Sequence, residues 1–203
     1  MYPKPIKEFI DKFAKLPGIG PRQGARLAFW LLNGPKETRQ NLKRVLEGLD
    51  KDARTCGLCH YVIENDGNDK CHFCDNPSRD HKTICVVEKE TDLATIERSG
   101  TYKGLYHVLG GLFSALDTAV PKHLKLPELI NRIENRKKET EEVILALSPT
   151  HEGDLTAHYL ERLLKPSKVK ITRLGRGLPY GSDVEFADAQ TLSGALESRK
   201  EIK

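Results

Sequence analysis

The chain has 203 residues, of which 38% are hydrophobic and 31% are charged, which favours a folded globular protein over a disordered one. No apolar stretch reaches the roughly 18 residues that a membrane span requires, and the first residues lack an apolar signal core, so we expect a cytoplasmic protein. The net charge of +4 is uneven, because residues 1–54 carry +6 and the remaining residues carry −2. A basic N-terminal segment is typical of a polyanion contact, although a solvated helix surface explains the same charge.

Two amphipathic helices joined by a glycine-containing turn are predicted at the N-terminus. Apolar residues recur at helical spacing over residues 6–16 and again over residues 25–32, with the sequence LPGIGP leading into the second helix. Gly18 and Gly20 let the backbone approach a ligand closely, and Pro21 starts the second helix where its missing N–H costs nothing. The free N–H groups of such a helix-hairpin-helix can bind phosphate oxygens without reading base sequence.

Two arginines follow the turn. Arg22 and Arg26 lie one helical turn apart and would add charge-assisted contacts to the same DNA strand. We therefore predict a DNA-binding helix-hairpin-helix domain over residues 1–54, with Gly18, Gly20 and these arginines at the contact. The alternative is an ordinary tight turn in a helical hairpin.

Two further features belong to this segment. Apolar residues in helical phase over residues 42–49 predict a third helix that completes the small domain. Trp30 is interpreted as a packing residue of the second helix, with a base-stacking platform as the alternative.

Four cysteines give the strongest signal in the chain. They stand in CGLCHYVIENDGNDKCHFC as two Cys-x2-Cys pairs eleven residues apart: Cys56, Cys59, Cys71 and Cys74. Each pair can point two thiolates at one ion, and two pairs complete a tetrahedral zinc site. Disulfides are disfavoured in a cytoplasmic chain, while His60 and His72 stand beside the cysteines as alternative ligands. With all four positions filled, we predict one structural zinc per chain in a finger over residues 55–78.

Strands and helices alternate after the cysteines. Strands are predicted over residues 84–87, 105–109, 143–147 and 169–174, and helices over residues 92–98, 126–138, 156–164 and 189–200. This order predicts a mainly parallel sheet covered on both faces, so the whole chain reads as a multi-part α+β protein. Ligands of such sheets lie at the carboxyl ends of the strands, where Glu88 and an acidic turn over residues 148–154 with Glu152 and Asp154 are expected to share a site.

Residues 79–175 resemble a Toprim domain, the magnesium-binding module of topoisomerases and primases. Those enzymes carry a glutamate after the first strand, matched by Glu88, and an Asp-x-Asp after a later strand. Ser148 and Thr150 take the two aspartate positions here, which removes most of the charge that holds a hard divalent ion. The resemblance implies a Toprim fold without metal chemistry, with a Toprim-type metal-dependent nuclease or primase-like enzyme as the alternative.

The order of these parts resembles the RecR family of bacterial recombination mediators. The resemblance rests on LPGIGPRQGARLAFWLL, YKGLYHVLGGL, PTHEGD and RGLPYG, the last in a C-terminal strand-loop-helix segment over residues 176–203. It implies a non-enzymatic protein of DNA repair that forms a ring-like homotetramer on single- or double-stranded DNA. It also implies that the protein acts with RecO and RecF to load the recombinase on single-stranded DNA. By the same resemblance, we expect Glu88, Glu152 and Asp154 to contact a basic partner such as RecO.

Overall fold

A computed structural model describes residues 2–114, 119, 121–136 and 139–201. Its helices and strands in chain order are α1 (Lys4–Phe13), α2 (Pro21–Asn33), α3 (Lys36–Asp52), β1 (Ala53–Thr55), β2 (Val62–Glu64), α4 (His72–Asp75), β3 (Asp80–Val87), α5 (Glu90–Arg98), β4 (Gly104–Val108), α6 (Leu126–Asn135), β5 (Glu142–Ala146), α7 (His151–Leu164), β6 (Lys170–Arg173) and α8 (Ala189–Glu197). The chain divides into two units, residues 1–54 and residues 55–203. A membrane-crossing helix is absent from the described residues, since none is both long and apolar enough.

The first unit is a helical hairpin followed by a third helix. Helices α1 and α2 pack closely because Gly24 lies against α1, where an added Cβ would stand 3.6 Å from the Cα of Ile10. The guanidinium of Arg39 donates to the carbonyl oxygens of Leu31 and Gly34, which ties α3 to the end of α2. The two hydrophobic periods of the N-terminal sequence therefore form the predicted hairpin.

The third helix is present, but its apolar side chains are not buried within the unit. The side chains predicted to complete the domain are between 38% and 63% exposed: Leu42, Val45, Leu46 and Leu49. The predicted third helix thus belongs to the first unit, although none of its residues is buried. The apolar stripe of α3 faces solvent.

The second unit is built on a four-stranded sheet in the order β4-β3-β5-β6. All three strand pairs are parallel, which confirms the predicted parallel sheet. Val87, the last residue of β3, pairs with Val108 of β4 on one side and with Ala146 of β5 on the other. The central strands therefore end level with one another, and the residues that follow them emerge at a common edge.

Alternate residues of β3 enter two different hydrophobic clusters, one on each face of the sheet. Ile84 and Val86 pack with α6 and α7, whereas Cys85 and Val87 pack with α5 and with the four-cysteine segment. Cys85 is a buried thiol of the core. The cysteine segment is thus part of the cover of the sheet and shares its hydrophobic cluster.

Helix α7 begins earlier than the sequence suggested. Residues 148–154 were expected to form a turn before a helix from residue 156, but the helix starts at His151. The Oγ1 of Thr150 accepts a hydrogen bond from the amide of Gly153 at 3.1 Å and caps the helix. Glu152 and Asp154 lie in the first turn of the helix. The positive end of the helix favours their carboxylates, which stabilises this earlier start.

The remaining boundaries differ by a few residues. The predicted helix over residues 126–138 ends at Asn135, and Lys137 and Lys138 lie outside the described residues. Helix α8 ends at Glu197, three residues before its predicted end. It packs against the extended segment that precedes it, where an added Cβ on Gly177 would stand 3.5 Å from the Cα of Ala195.

Candidate functional site

The turn between α1 and α2 has the geometry that its glycines predict. Gly18 has a φ of +76°, a left-handed conformation that glycine adopts without a steric penalty. The amide of Ile19 donates to the carbonyl of Leu16 at 3.1 Å and closes the turn. Gly20 is the N-cap residue of α2, and Pro21 is its first residue.

The start of α2 leaves backbone donors open. No side chain caps the helix, and its first backbone hydrogen bond runs from Gly24 to Gly20 at 2.9 Å. Within the described residues, the amides of Arg22 and Gln23 donate to no acceptor. Arg22 and Arg26 are exposed beside them. The structure therefore brings together the four residues predicted to contact DNA, with positive charge at the positive end of a helix.

Trp30 lies further along α2 and is 64% exposed. The interpretation of this residue as a packing residue is therefore wrong within the unit. Its neighbour Phe29 contacts the ring of Tyr2 edge-on, with the ring centroids 5.6 Å apart. Arg22, Arg26 and Trp30 are spaced by four residues and therefore share one stripe of the helix, a signal that could have indicated the exposed position.

The four predicted cysteines converge into one buried cluster. Their Sγ atoms all lie within 4.8 Å of one another, and the Sγ atoms of Cys59 and Cys71 are 3.4 Å apart. Four sulfurs around a zinc ion at about 2.3 Å would stand about 3.8 Å apart, so the cluster has the dimensions that zinc requires. His60 and His72 do not belong to this group of ligand atoms. The donor set that fits a metal ion is four thiolates.

Hydrogen bonds orient the sulfurs of the cluster. The amide of Cys71 donates to the Sγ of Cys56 at 3.3 Å, and the amide of Cys74 donates to the Sγ of Cys71 at 3.4 Å. Hydrogen bonds from Cys59, then from Cys71 and Cys74, hold the pKa of the Cys56 thiol well below its usual range. The same hydrogen bonds raise the pKa of the Cys59 and Cys74 thiols, so Cys56 is the sulfur of the cluster most favoured as a thiolate, the form that binds metal.

Glu88 and the start of α7 lie at the carboxyl edge of the sheet, after neighbouring strands β3 and β5. The side chain of Glu88 is only 20% exposed, with the Nζ of Lys89 3.8 Å from its Oε1. Glu152 is exposed. Asp154 accepts hydrogen bonds from Arg176 and, at 2.6 Å, from Arg173, and these hold its pKa below the usual range.

This edge therefore does not assemble the three predicted acidic residues into a metal site. Over residues 2–114, 119, 121–136 and 139–201, the only group of three or more potential metal ligands is the cysteine cluster. Two arginines occupy the Asp154 carboxylate, and the Oγ1 of Thr150 is used as a helix cap. Gly153 is required here for space, since an added Cβ would stand 1.9 Å from the carbonyl oxygen of Ser148.

Three protein-family models match the chain. They are the Toprim domain over residues 82–175, the helix-hairpin-helix of RecR over residues 6–49 and the C-terminal region of RecR over residues 177–200. Recombination protein RecR of Bifidobacterium animalis subsp. lactis (strain AD011) is 44% identical over 201 residues, which cover 99% of this chain and 98% of that protein. The chain belongs to the RecR family. The four cysteines lie between the first two matched ranges, so the order of parts predicted from the sequence is confirmed.

The RecR-family motifs did not point to Arg79, which joins the cysteine segment to the sheet. Its guanidinium forms two 2.9 Å hydrogen bonds with Glu97 and donates to the carbonyl of Gly104 at 2.8 Å. It also lies over the ring of Phe73, 5.0 Å from the centroid. The hydroxyl of Tyr106 donates to the same carboxylate at 2.7 Å. No local sequence pattern indicates the role of Arg79, because its partners are up to 25 residues away in the chain.

Arg132 of α6 is a second arginine that sequence reasoning missed. It is buried, donates to the carbonyl of Tyr106 at 2.6 Å and lies 3.8 Å from the Sγ of Cys74. A buried cation beside the cluster offsets the negative charge that four thiolates bring to one ion. The RecR-family chain thus embeds its candidate metal centre in the core and leaves its hairpin open to solvent.

Proposed function

We propose that the chain is a recombination mediator that binds DNA and has no catalytic activity of its own. The observation that carries the proposal is the hairpin, whose open amides and exposed Arg22 and Arg26 lie on one surface. Membership of the RecR family supports it, since the relative from Bifidobacterium animalis is named a recombination protein. The hairpin holds DNA, and the second unit provides the scaffold and partner surface.

The hairpin contacts the phosphate groups of the DNA. Backbone amides at the start of a helix and arginine side chains both bind phosphate oxygens, and neither reads the edge of a base from this position. Gly18 and Gly20 give the strand access because they carry no side chain between the backbone and the ligand. Binding is therefore tolerant of sequence and accepts single- and double-stranded DNA.

Several chains act together. One hairpin offers only a few phosphate contacts, so appreciable affinity requires several hairpins on the same DNA. The exposed apolar stripe of α3, which includes Val45 and Leu49, supports association of copies of this chain. A ring-like homotetramer with hairpins facing the DNA supplies both requirements, and it clamps the DNA.

The Toprim domain serves as a scaffold and not as a catalyst. This is supported by the side chains at its carboxyl edge, where Asp154 is held by Arg173 and Arg176 and where Thr150 caps a helix. Phosphodiester chemistry in such a site relies on carboxylates that hold divalent ions. Incubation of the pure protein with labelled DNA and magnesium or manganese should leave the DNA intact, and robust turnover would favour the nuclease or primase-like alternative.

The cysteine cluster holds one structural zinc ion per chain. Its four sulfurs lie within 4.8 Å of one another and would fill all four positions around a zinc ion, which supports a structural role. We divide the chain accordingly into a DNA-binding domain (residues 1–54), a zinc finger (55–78), a Toprim domain (79–175) and a C-terminal segment (176–203).

The carboxyl edge of the Toprim domain binds a basic partner, for which the family resemblance suggests RecO, with RecF as a further partner. Among the three acidic residues there, Glu152 is the exposed one, whereas Glu88 is mostly covered and Asp154 is already paired. Glu152→Lys should weaken the complex in a titration, and Glu134→Lys on α6 is a matched control. Equal affinity of the two variants for RecO would remove Glu152 from the interface.

The test of the proposal is a double variant of the hairpin. Arg22→Ala with Arg26→Ala should abolish binding to single- and double-stranded DNA of unrelated sequences, measured by fluorescence anisotropy. Lys43→Ala with Arg44→Ala removes two exposed cations from α3 of the same unit and should change affinity little. If the two double variants bind DNA equally, the hairpin is not the contact.

A further inference from the structure

An open groove on the first unit joins aromatic side chains to cations. Its lining includes Tyr2, Phe29 and Trp30 together with Lys7, Arg22 and Arg26, and among the described residues no carboxylate lines it. We name this surface the aromatic groove. Trp30 is its most exposed ring, at 64%, beside Tyr2 at 51% and Phe29 at 38%. Three aromatic rings on one small surface are not covered by the unit itself.

The three cations of the aromatic groove form no ion pair within the described residues, although Lys4 and Lys43 of the same unit pair with Glu8 and Glu47. The groove is therefore a region of uncompensated positive charge. A second copy of the same groove would bring three more cations against these three, so charge disfavours that occupant. An anionic ligand with flat apolar groups is the complementary one.

The residues of the hairpin contact and of the aromatic groove lie along the same side of α2. Arg22, Arg26 and Trp30 follow at intervals of four residues, each about 6 Å further along the helix axis. A strand held by phosphates at the arginines therefore reaches the indole one helical turn further on. Aromatic rings beside a cationic track are the features that bind successive bases of single strands.

We propose that the aromatic groove binds single-stranded DNA with an unpaired base stacked on the indole of Trp30. The inference rests on the proposed DNA contact of the hairpin and deepens it by giving it a preference for single strands. In a duplex both faces of each base are already stacked, whereas an unpaired base offers a free face to the ring. The stack adds affinity without sequence readout, since every base has such a face.

Trp30 is the only tryptophan of the 203-residue chain, so its fluorescence reports on this position alone. Three probes separate stacking from charge: an oligothymidylate, an abasic strand with the same number of phosphates, and a duplex. Stacking predicts that the oligothymidylate quenches the indole strongly and that the abasic strand and the duplex do not. Equal quenching by the oligothymidylate and the abasic strand would overturn the proposal.

The variants Trp30→Ala and Trp30→Phe give the matched affinities. Trp30→Ala should weaken oligothymidylate binding about 5- to 150-fold while duplex affinity changes less than about twofold, and Trp30→Phe should retain most of the affinity. Both variants should fold, because the side chain is exposed. Unchanged oligothymidylate affinity of Trp30→Ala would overturn the proposal, as would a loss of oligomer mass with unchanged affinity per chain, which would assign the groove to a second copy.

The double variant Arg22→Ala with Arg26→Ala separates the two levels of the argument. If that variant loses DNA binding while Trp30→Ala binds DNA as the parent does, the stacking proposal is wrong and the proposed hairpin contact is retained. If the double variant binds duplex and single strands as the parent does, the proposed function itself fails.

Discussion

The sheet of the second unit and the helices of the first differ in how far their apolar and charged side chains are covered or paired. In the second unit, Ile84, Val86 and Val87 of the central strand are completely buried, and Arg79 and Arg173 have carboxylate partners. In the first unit, the apolar stripe of α3 is exposed, and Arg22 and Arg26 of the hairpin form no ion pair among the described residues. The central strand of the second unit is covered on both faces, whereas the first unit leaves an apolar helix stripe and two arginines exposed.

Size and architecture explain the difference. A parallel sheet covered on both faces buries its strands, and the cysteine cluster adds to one of the two hydrophobic clusters. A segment of 54 residues buries too small a fraction of its surface to form a large core. The sheet of the second unit therefore supplies most of the buried core, whereas the proposed functions give DNA binding to the first unit and partner binding to the carboxyl edge of the sheet.

The largest effect should come from loss of a cysteine ligand. Pure protein should contain about one zinc per chain, and Cys71→Ser should release it, because metal binding worth about 10–16 kcal/mol supplies folding free energy to such sites. Since the cluster is continuous with Val87, Leu93 and Tyr106, hydrogen exchange should rise in the sheet as well as in the finger. Exchange in the first unit should stay unchanged.

Cys85→Ala is the matched control for this prediction, because Cys85 is a buried thiol of the same cluster that is not among the four ligands. It should lower the free energy of unfolding by about 1–2 kcal/mol and leave the zinc content intact. Equal zinc loss in both variants, or no zinc in the parent, would contradict the four-thiolate centre.

The same type of substitution, glycine to alanine, should change the free energy of unfolding in opposite directions in the two units. Gly153→Ala places a Cβ 1.9 Å from the carbonyl oxygen of Ser148, so the start of α7 must shift, at a cost of about 1–3 kcal/mol. Gly48→Ala in α3 places its Cβ 3.2 Å from the end of the flexible Asp52 side chain and should stabilise that helix by about 0.5–1 kcal/mol. Thermal unfolding followed by circular dichroism measures both. Two changes of the same sign would break the comparison between the units.

The Arg79–Glu97 pair should give the second unit an acid-sensitive contribution. The hydrogen bonds from Arg79 hold the pKa of Glu97 below its ordinary value, so the stabilisation is complete above about pH 4.3 and is lost as the pH falls toward the folded-state pKa. Glu97→Gln should cost about 1–2 kcal/mol at neutral pH and flatten the loss of stability on the acid side. Denaturant titrations at several pH values measure this, and parallel curves for parent and variant would remove the pair from the stability of the unit.

The smallest effect on stability should come from the apolar stripe of α3. Leu46→Gln with Leu49→Gln should change the free energy of unfolding by no more than about 0.5 kcal/mol per site, because both side chains are exposed, yet it should lower the oligomer mass measured by light scattering. Leu160→Ala in the buried core of the second unit should instead cost about 2–5 kcal/mol at an unchanged oligomer mass. A stability loss in the glutamine variant as large as in Leu160→Ala would show that the first unit buries this stripe itself.

Local patterns predicted the parts that local physics determines. The spacing of the cysteines, the LPGIGP turn and the alternation of strands and helices each depend on neighbouring residues, and the cluster, the hairpin and the parallel sheet are confirmed. The exposure of Trp30 could not be read from hydrophobicity, because an apolar ring on a helix predicts burial whether or not the unit has a core to receive it. The bonds of Asp154 to Arg173 and Arg176 depend on two elements meeting in space, and no sequence spacing encodes that.

The salt dependence of single-strand binding tests the central claim most directly, namely that the hairpin of the first unit holds DNA by its phosphates. The logarithm of the association constant should fall linearly with the logarithm of salt concentration in the parent, by about 0.7 per phosphate contact. Arg22→Ala with Arg26→Ala removes two contacts per engaged chain, so any binding that remains at low salt should have a slope flattened by about 1.4 for each chain. A double variant that binds with the parental slope would contradict the account.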